Sequence, residues 1–281
     1  MSLALSPADE EALAQAVRTL EHVNFAARVA DITGEPITRA IRWMPASASR
    51  RVDQAVQTAV INCLNAAIET LDDVPLSRPA KRRSAAFVGV TGGVGGAFGL
   101  LALPAELPVT TTIMLRSIAD IARHEGEDLK DIGARLACLE VFALSSSGGE
   151  LSGEVGYYAT RAVIARLTED VIAQLLQRGA ASSASPAAGA LVSAIVNRFG
   201  LVVSDRLAAS AVPIIGAVGG AVVNVLFINH FQSVAQAHFT VRRLERRHGP
   251  DAVRSRYDEL AQKPKALGGK TRRVRFGRRS R

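Results

Sequence analysis

The chain has 281 residues, 48% apolar and 21% charged, which excludes a disordered chain and allows one large domain with a full core. Aromatic residues make up only 5%, which disfavours a β-sandwich because strands are enriched in aromatic side chains. The net charge of +8 comes from residues 262–281, which hold nine basic residues and no acid; the remainder has 25 basic against 26 acidic residues. The basicity therefore belongs to a tail and says nothing about the fold.

Two cysteines, Cys63 and Cys138, lie among apolar residues and form no Cys-x-x-Cys pair. We expect buried thiols in a reducing compartment, and we expect neither a metal nor another cofactor. Residues 1–15 lack the basic and apolar regions of a signal peptide, so the expected location is cytoplasmic.

The N-terminal part of the chain shows apolar residues at helical spacing. A first helix begins after Ser6, where a capping serine precedes Pro7 and the dipole-compensating acids Asp9 and Glu10. A short helix is expected after Pro36 and a longer one over residues 49–71. Residues 72–83 then form a polar link that closes on a basic run.

The next 22 residues, Ser84 to Ala105, carry no formal charge, and as a helix they would span about 33 Å, enough for a hydrocarbon core of about 30 Å. Three overlapping Gly-x-x-x-Gly pairs leave one helix face without side chains: Gly89/Gly93, Gly92/Gly96 and Gly95/Gly99. A second uncharged stretch, Leu207 to Val241, holds Gly216 and Gly220 at the same spacing.

These two stretches allow three interpretations. The favoured one is a pair of helices, Ala85 to Leu103 and Pro213 to Ile228, buried at the centre of a soluble bundle. The second is a helical hairpin that inserts into a membrane or rests on it. The third, a polytopic membrane protein, is disfavoured because the surrounding helices have polar faces typical of soluble proteins.

Three ionisable residues stand in apolar surroundings. Glu106 lies between two prolines, where a helix break is expected; it is interpreted as a helix-capping acid or, alternatively, as a catalytic carboxylate. Arg116 is expected to pair with Asp120 one turn later, or with Glu106. Glu140 is expected to form a partly buried salt bridge with Arg161 or Arg166.

Further helices are predicted over residues 128–147, 154–178, 186–211, 214–247 and 251–261, with Gly126 as a C-cap and Gly249-Pro250 as a stop. No segment alternates as a β-strand does. The prediction is therefore an all-α bundle of nine or ten helices in one domain, residues 1–261, around the glycine-rich pair, followed by a disordered basic tail, residues 262–281.

The longest of these helices carries a polar seam. Its members are Asn224, Asn229, His230 and His238, with the two histidines about two turns apart on one face. The favoured interpretation is a hydrogen-bonded core seam, and the alternative is an active site at His230. No His-Glu-x-x-His, Walker or Gly-x-Ser-x-Gly motif is present, so no metal or nucleotide site is predicted.

Several motifs in their order resemble the EcsC family. They are "GGVGGAFGLLALPAELPVTTTIMLRSIADIARHEGEDL", "GYYATRAVI" at Gly156 to Ile164, and "VPIIGAVGGAVVNVLFINHFQSVAQAHFTVRRLERRHG". The family commonly has Asp where this chain has Glu106, and often Tyr-Gly where it has Glu125-Gly126. The resemblance implies a helical, membrane-proximal protein that is accessory to a bacterial ABC transporter, and it brings no settled enzymatic activity.

The tail lies outside this resemblance. It contains six arginines close together: Arg272, Arg273, Arg275, Arg278, Arg279 and Arg281. We expect them to bind an anionic membrane surface; a merely solvated tail and nucleic-acid binding are the alternatives. The function expected is an accessory or interaction role at the cytoplasmic face of the inner membrane, with a transporter or other envelope protein as partner. The alternative is a hydrolase acting on lipid or peptide, centred on Glu106 or His230.

Overall fold

The computed structural model describes residues 5–22, 25–26, 28–29, 46–69, 103–146, 156–178, 185–210 and 216–262. These residues form eight α-helices and no strand: α1 Pro7–His22, α2 Ala46–Glu69, α3 Leu103–His124, α4 Ile132–Leu144, α5 Tyr157–Arg178, α6 Pro186–Ser210, α7 Gly216–His248 and α8 Pro250–Gln262. The all-α prediction is confirmed. The described part has eight helices rather than nine or ten. The helix expected after Pro36 lies outside it, and of the helix expected over Ala85 to Leu103 only Leu103 is described, as the first residue of α3.

Local signals set most helix ends as expected. The Asp9 backbone N–H donates to Ser6 Oγ at 3.2 Å, which caps α1. Gly126 adopts φ +84° after α3, and its N–H donates to the Arg123 carbonyl oxygen. Gly249 adopts φ +89° between α7 and α8. A glycine suits both positions because side chains disfavour positive φ.

The helix break expected around Glu106 is wrong, because α3 runs through Pro108 without interruption. Pro108 lies close to the start of α3, so its missing N–H removes only the hydrogen bond to the carbonyl of Pro104. The hydroxyls of Thr111 and Thr112 donate to the carbonyl oxygens of Leu107 and Pro108, so these two carbonyls accept a side-chain hydrogen bond within this turn. Glu106 therefore lies in the first turn of a continuous helix.

Helix α7, with 33 residues, packs against α1, α3, α4, α6 and α8. Its phenylalanines form the aromatic part of the core. Phe227 contacts the ring of Phe25, which follows α1 in the chain, and Phe231 contacts Phe142 of α4 and Phe199 of α6. All five rings are fully buried. The bundle is thus organised around α7, and α2 closes it by packing on α3, α4 and α6.

The two ends of α7 differ in charge. Residues 216–241 carry no formal charge, whereas residues 242–248 hold four arginines and one glutamate. Contacts between Ser117 and Gln232 and between Glu125 and Arg243 show that α3 runs parallel to α7, so α3 also ends at the arginine-rich end. We call residues 216–227 of α7, together with the residues of neighbouring helices at the same end of the bundle, the uncharged end. Residues 242–248 of α7 form the arginine end.

The central glycine pair stays a prediction. Gly89, Gly92, Gly93, Gly95, Gly96 and Gly99 lie outside the described residues. Gly216 and Gly220 belong to the first turns of α7, as predicted for a helix in that region. The described chain ends with α8 at Gln262, and the tail arginines lie beyond it.

Candidate functional site

Glu106 binds an arginine that lies 100 positions later in the chain. Arg206 Nη2 of α6 donates to Glu106 Oε1 at 2.5 Å, and both side chains are largely buried. The Arg206 guanidinium also lies over the Phe227 ring, 5.0 Å from its centroid. Arg116, the partner considered from the sequence, is exposed, and Asp120 instead accepts from Arg123 at 3.2 Å. We call Glu106, Arg206 and Phe227 the Glu106 hub; it joins α3, α6 and α7 at the uncharged end.

A hydrogen-bonded relay runs through the core at His238. Arg161 Nη1 donates to the Tyr157 hydroxyl oxygen at 3.3 Å, and that hydroxyl lies 2.9 Å from His238 Nδ1. The buried tyrosine O–H has no other hydrogen-bond acceptor among the described residues, so we assign it as the donor to Nδ1. Nδ1 is then an acceptor, and the imidazole proton lies on Nε2. That nitrogen faces Glu140 Oε2 at 3.8 Å.

Burial governs the protonation of the relay. His238 and Glu140 are enclosed, and burial lowers the pKa of His238 well below its ordinary value, with Arg161 and Arg242 acting in the same direction. Burial raises the pKa of Glu140 to about 7, against the opposing charges of Arg242 and Arg161. The imidazole is therefore neutral near pH 7, and Glu140 is the group of the relay that exchanges a proton there.

Arg161 does not pair with Glu140, as the sequence suggested, but with Glu245 of α7. Two parallel N–H···O bonds of 2.8 Å join the guanidinium to this carboxylate, and the Tyr158 hydroxyl donates to the same group at 2.9 Å. This geometry suits a guanidinium and a carboxylate. The hydrogen bonds therefore connect His238 to a largely buried ion pair between α5 and α7, while Glu140 lies 3.8 Å from the other side of the imidazole.

His230 performs a separate structural task. Its Nε2 lies 2.8 Å from the Ser145 carbonyl oxygen, so Nε2 carries the proton and ties the end of α4 to α7. Burial lowers the pKa of His230 to about 4, the Ser145 carbonyl acts against this, and the Arg28 charge lowers it further. The ring is fully buried beside Phe25 and Phe231. His230 is thus a neutral hydrogen-bonding group without an opening to a substrate among the described residues.

The predicted polar seam is divided by the structure. Asn224, His230 and His238 are buried, but Asn229 is exposed and lines a surface groove between α1 and α7. The reason is the helical period, since adjacent residues such as Asn229 and His230 differ by about 100° around the axis. The two histidines bind different partners, so they form two sites rather than one.

At the arginine end, two acids of the turn after α3 bind three arginines of α7. Arg242 binds Glu127 through Nε at 2.8 Å and Nη2 at 3.1 Å, and Arg246 contacts the same carboxylate. Arg243 Nε donates to Glu125 Oε2 at 2.7 Å. These arginines are therefore engaged within the bundle, which leaves the tail as the expected source of attraction to anionic surfaces.

Comparison of the sequence with models of known protein families identifies the family of the chain. The model of the EcsC protein family matches residues 8–244, which is most of the chain. The chain belongs to the EcsC family. No curated protein and no solved structure matches this EcsC protein.

Within the described part of this EcsC protein, one helix is long and apolar enough to cross a membrane, judged by length and composition alone. It spans Pro186–Ala209 in α6, and 39% of its most apolar stretch is buried in the bundle. Core helices of soluble proteins pass the same test, so this observation is weak evidence for a span. Its exposed residues include Gly189, Ser193 and Leu201, and the partly exposed Arg198 and Asp205 lie on the same side as Leu201, three residues before it and four after it.

Metal and thiol chemistry find little basis in the described residues of the EcsC chain. They contain no group of three or more His, Cys, Asp or Glu side chains placed to hold a metal. Cys63 and Cys138 are free and buried, and burial raises the pKa of the Cys63 thiol to about 12. Such thiols are poor nucleophiles near neutral pH.

Sequence reasoning missed the tyrosine–histidine relay and the acids that bind α7. A signal for the relay was present in "GYYATRAVI", where Tyr157 precedes Arg161 by one helical turn, and in the isolated Glu140 of a greasy helix. Tyr157 and Glu140 both face His238 of α7, which lies about 80 to 100 positions later in the chain, and no local pattern predicts these contacts.

Proposed function

We propose that this EcsC-family protein acts by binding at the cytoplasmic face of the bacterial membrane, in an accessory role to a transporter or other envelope protein. The observation that carries the proposal is that three of the five large apolar side chains exposed among the described residues lie near the uncharged end. Val109, Leu201 and Val222 are about half exposed, and each lies within five residues of a member of the Glu106 hub along its own helix.

The charge distribution near these three side chains supports lipid contact. Glu106 and Arg206 neutralise each other inside the hub, and residues 216–241 of α7 carry no formal charge. Exposed apolar patches on a soluble bundle mark surfaces for other proteins or for membranes. The uncharged stretch Ser84 to Ala105 enters α3 at this same end, and the basic tail adds attraction to anionic headgroups.

Binding is favoured over the hydrolase alternative by the state of its two candidate residues. Glu106 is held in an ion pair with Arg206, and His230 is buried and bonded to a backbone carbonyl. A general acid or base needs access to substrate. The exposed side chains of Val109, Leu201 and Val222, by contrast, are available for contact with lipid.

The test is co-sedimentation of the full chain with vesicles of phosphatidylcholine and phosphatidylglycerol, at low and high salt. We expect Leu201→Glu and Val222→Glu to weaken binding at both salt concentrations, because each places a charge in the contact with lipid. A version ending at Ala261 should lose the salt-sensitive part. The matched controls are Val163→Glu and Leu176→Glu, which alter the exposed apolar residues of α5.

The outcomes separate the possibilities. If the two α5 controls weaken binding as much as Leu201→Glu does, the uncharged end is not the lipid-binding surface. If the full chain fails to sediment with anionic vesicles at low salt, the membrane role itself is wrong, and an exclusively protein-binding or enzymatic role gains.

A further inference from the structure

A surface groove of about 580 Å³ runs between α1 and α7. On the α7 side it is lined by a stripe that extends from Asn229 to Arg243, 14 residues apart, or about 21 Å at the rise of an α-helix. On the α1 side the facing residues include Ala12 and Ala16. Their small side chains leave the space open where a larger residue would close the helix pair.

The lining is polar, which is unusual for the seam between two packed helices. Amide side chains from Gln15, Asn229 and Gln236 and hydroxyls from Thr19 and Ser233 border it. The two hydroxyls donate to carbonyl oxygens of their own helices, and the Gln236 amide donates to Glu125. The amides of Gln15 and Asn229 and the hydroxyl oxygens of Thr19 and Ser233, which still accept, therefore face the groove. A side-chain amide offers donors and an acceptor, as does a peptide group. A row of amides and hydroxyls in a long, open groove therefore suits an extended main chain better than a compact apolar ligand, which prefers enclosed and mostly apolar pockets.

Charge is distributed unequally along the groove. At one end, Arg243 binds Glu125 and Asp9, so its charge is offset within the bundle. At the other end, Arg28 lines the groove and forms no ion pair with any described residue. Its charge acts on the neighbouring His230, whose pKa it lowers. The Arg28 end therefore offers a guanidinium to a carboxylate from outside.

We propose that the α1–α7 groove binds an extended peptide segment of a partner protein, with an acidic side chain of that segment at Arg28. About 21 Å accommodates roughly six residues at the rise of a β-strand. The amides of Gln15 and Asn229 and the hydroxyl oxygens of Thr19 and Ser233 bond the peptide main chain, and Arg28 sets the direction in which the segment lies. This deepens the accessory role proposed above by naming the chemistry of the partner, and it does not depend on lipid binding.

The test begins with selection of a random heptapeptide library on the full chain, in the absence of lipid. We expect the enriched peptides to carry an acidic residue towards one end. Synthetic versions would then be measured by fluorescence anisotropy. Arg28→Gln should weaken their binding about tenfold, which corresponds to the loss of about 1.4 kcal/mol.

A second variant and a control guard against a folding artefact. Asn229→Asp keeps the size of an exposed side chain and adds a negative charge to the groove, so it should also weaken binding of acidic peptides. Arg116→Gln removes an exposed arginine of α3 that does not line the groove, and it should leave binding unchanged. Thermal unfolding of each variant verifies the fold.

Three results would overturn the proposal: no enrichment above background, enrichment without acidic residues, or equal loss of binding in Arg116→Gln and Arg28→Gln. Because lipid is absent, these results leave the membrane test untouched. Conversely, if Arg28→Gln impaired vesicle binding while no peptide was enriched, Arg28 would bind a lipid headgroup, and the peptide assignment would be wrong.

Discussion

The Tyr157 hydroxyl of α5 lies 2.9 Å from Nδ1 of His238 in α7, and both side chains are completely buried. Arg161 donates to the same hydroxyl oxygen, and the tyrosine O–H, which has no other acceptor among the described residues, is assigned as the donor to Nδ1. Hydrogen bonds of the relay join α5 to α7, and Glu140 of α4 lies 3.8 Å from the other imidazole nitrogen. Buried polar groups of this kind stabilise a fold only while every partner is present.

Removing the hydroxyl should therefore cost more than an average hydrogen bond. Tyr157→Phe leaves Nδ1 of His238 buried without its donor, and we expect a loss of about 1–3 kcal/mol in the free energy of unfolding. Urea unfolding followed by circular dichroism measures it. Tyr158→Phe is the control, because Glu245 keeps its two bonds to Arg161 and a loss below about 1 kcal/mol is expected. Equal losses in Tyr157→Phe and Tyr158→Phe would show that the Tyr157–His238 hydrogen bond contributes no more to stability than the Tyr158–Glu245 hydrogen bond.

Stability should depend on pH through Glu140. Its pKa is raised from the ordinary value of 4.5 to about 7 in the folded state, so the folded protein holds the proton more tightly than the unfolded chain. The cost of ionising it is absent below pH 4.5, grows as pH rises towards 7, and is constant above that. His238 acts in the opposite direction, since its lowered pKa reduces stability as pH falls below 6.5.

Glu140→Gln removes the first effect alone. The stability of the variant relative to the native chain should increase between pH 4.5 and 7, by up to about 3 kcal/mol. Urea unfolding of both proteins at several pH values provides the difference, in which the contribution of His238 largely cancels. A difference that does not change with pH would mean that Glu140 keeps an ordinary pKa.

The ion pair of the Glu106 hub should be more costly to break than to replace. Glu106→Gln leaves the buried guanidinium of Arg206 facing a neutral group, and a loss of about 3 kcal/mol is expected. Arg206→Met should cost a similar amount, and the double variant Glu106→Gln/Arg206→Met much less than the sum. A double-mutant cycle by urea unfolding measures the coupling. Strict additivity would contradict a direct pair.

Two glycines should respond oppositely to alanine. Gly126 adopts φ +84°, and an added Cβ would meet Arg246 at 3.5 Å, an ordinary contact, so Gly126→Ala should cost about 1 kcal/mol through the backbone alone. Gly200 is helical, and its added Cβ would meet nothing within 4 Å, so Gly200→Ala should stabilise by up to about 1 kcal/mol. Melting temperatures decide both. A destabilising Gly200→Ala would indicate that another helix packs on that face of α6.

Some features of this EcsC protein could be predicted because they depend on neighbours within about four residues. The capping by Ser6, the turn at Gly126 and the stop at Gly249 are of this kind, and the structure has each where the local signal placed it. The helix break predicted around Glu106 and Pro108 was wrong for an equally local reason. A proline costs little near the start of a helix, and the true start at Leu103 could not be located because the apolar run before it has no cap.

The sequence by itself determined the all-α class, the main helices, the family and the uncharged nature of the α7 N-terminal half, because composition, local spacing and motif order carry that information. Only the tertiary structure decided which charges meet. Asp120 binds Arg123 rather than Arg116, and Glu106 binds Arg206. Each acid has several candidate partners along the chain, and the packing of distant helices selects among them. The same packing places Asn229 at a groove while the adjacent His230 is buried in the core.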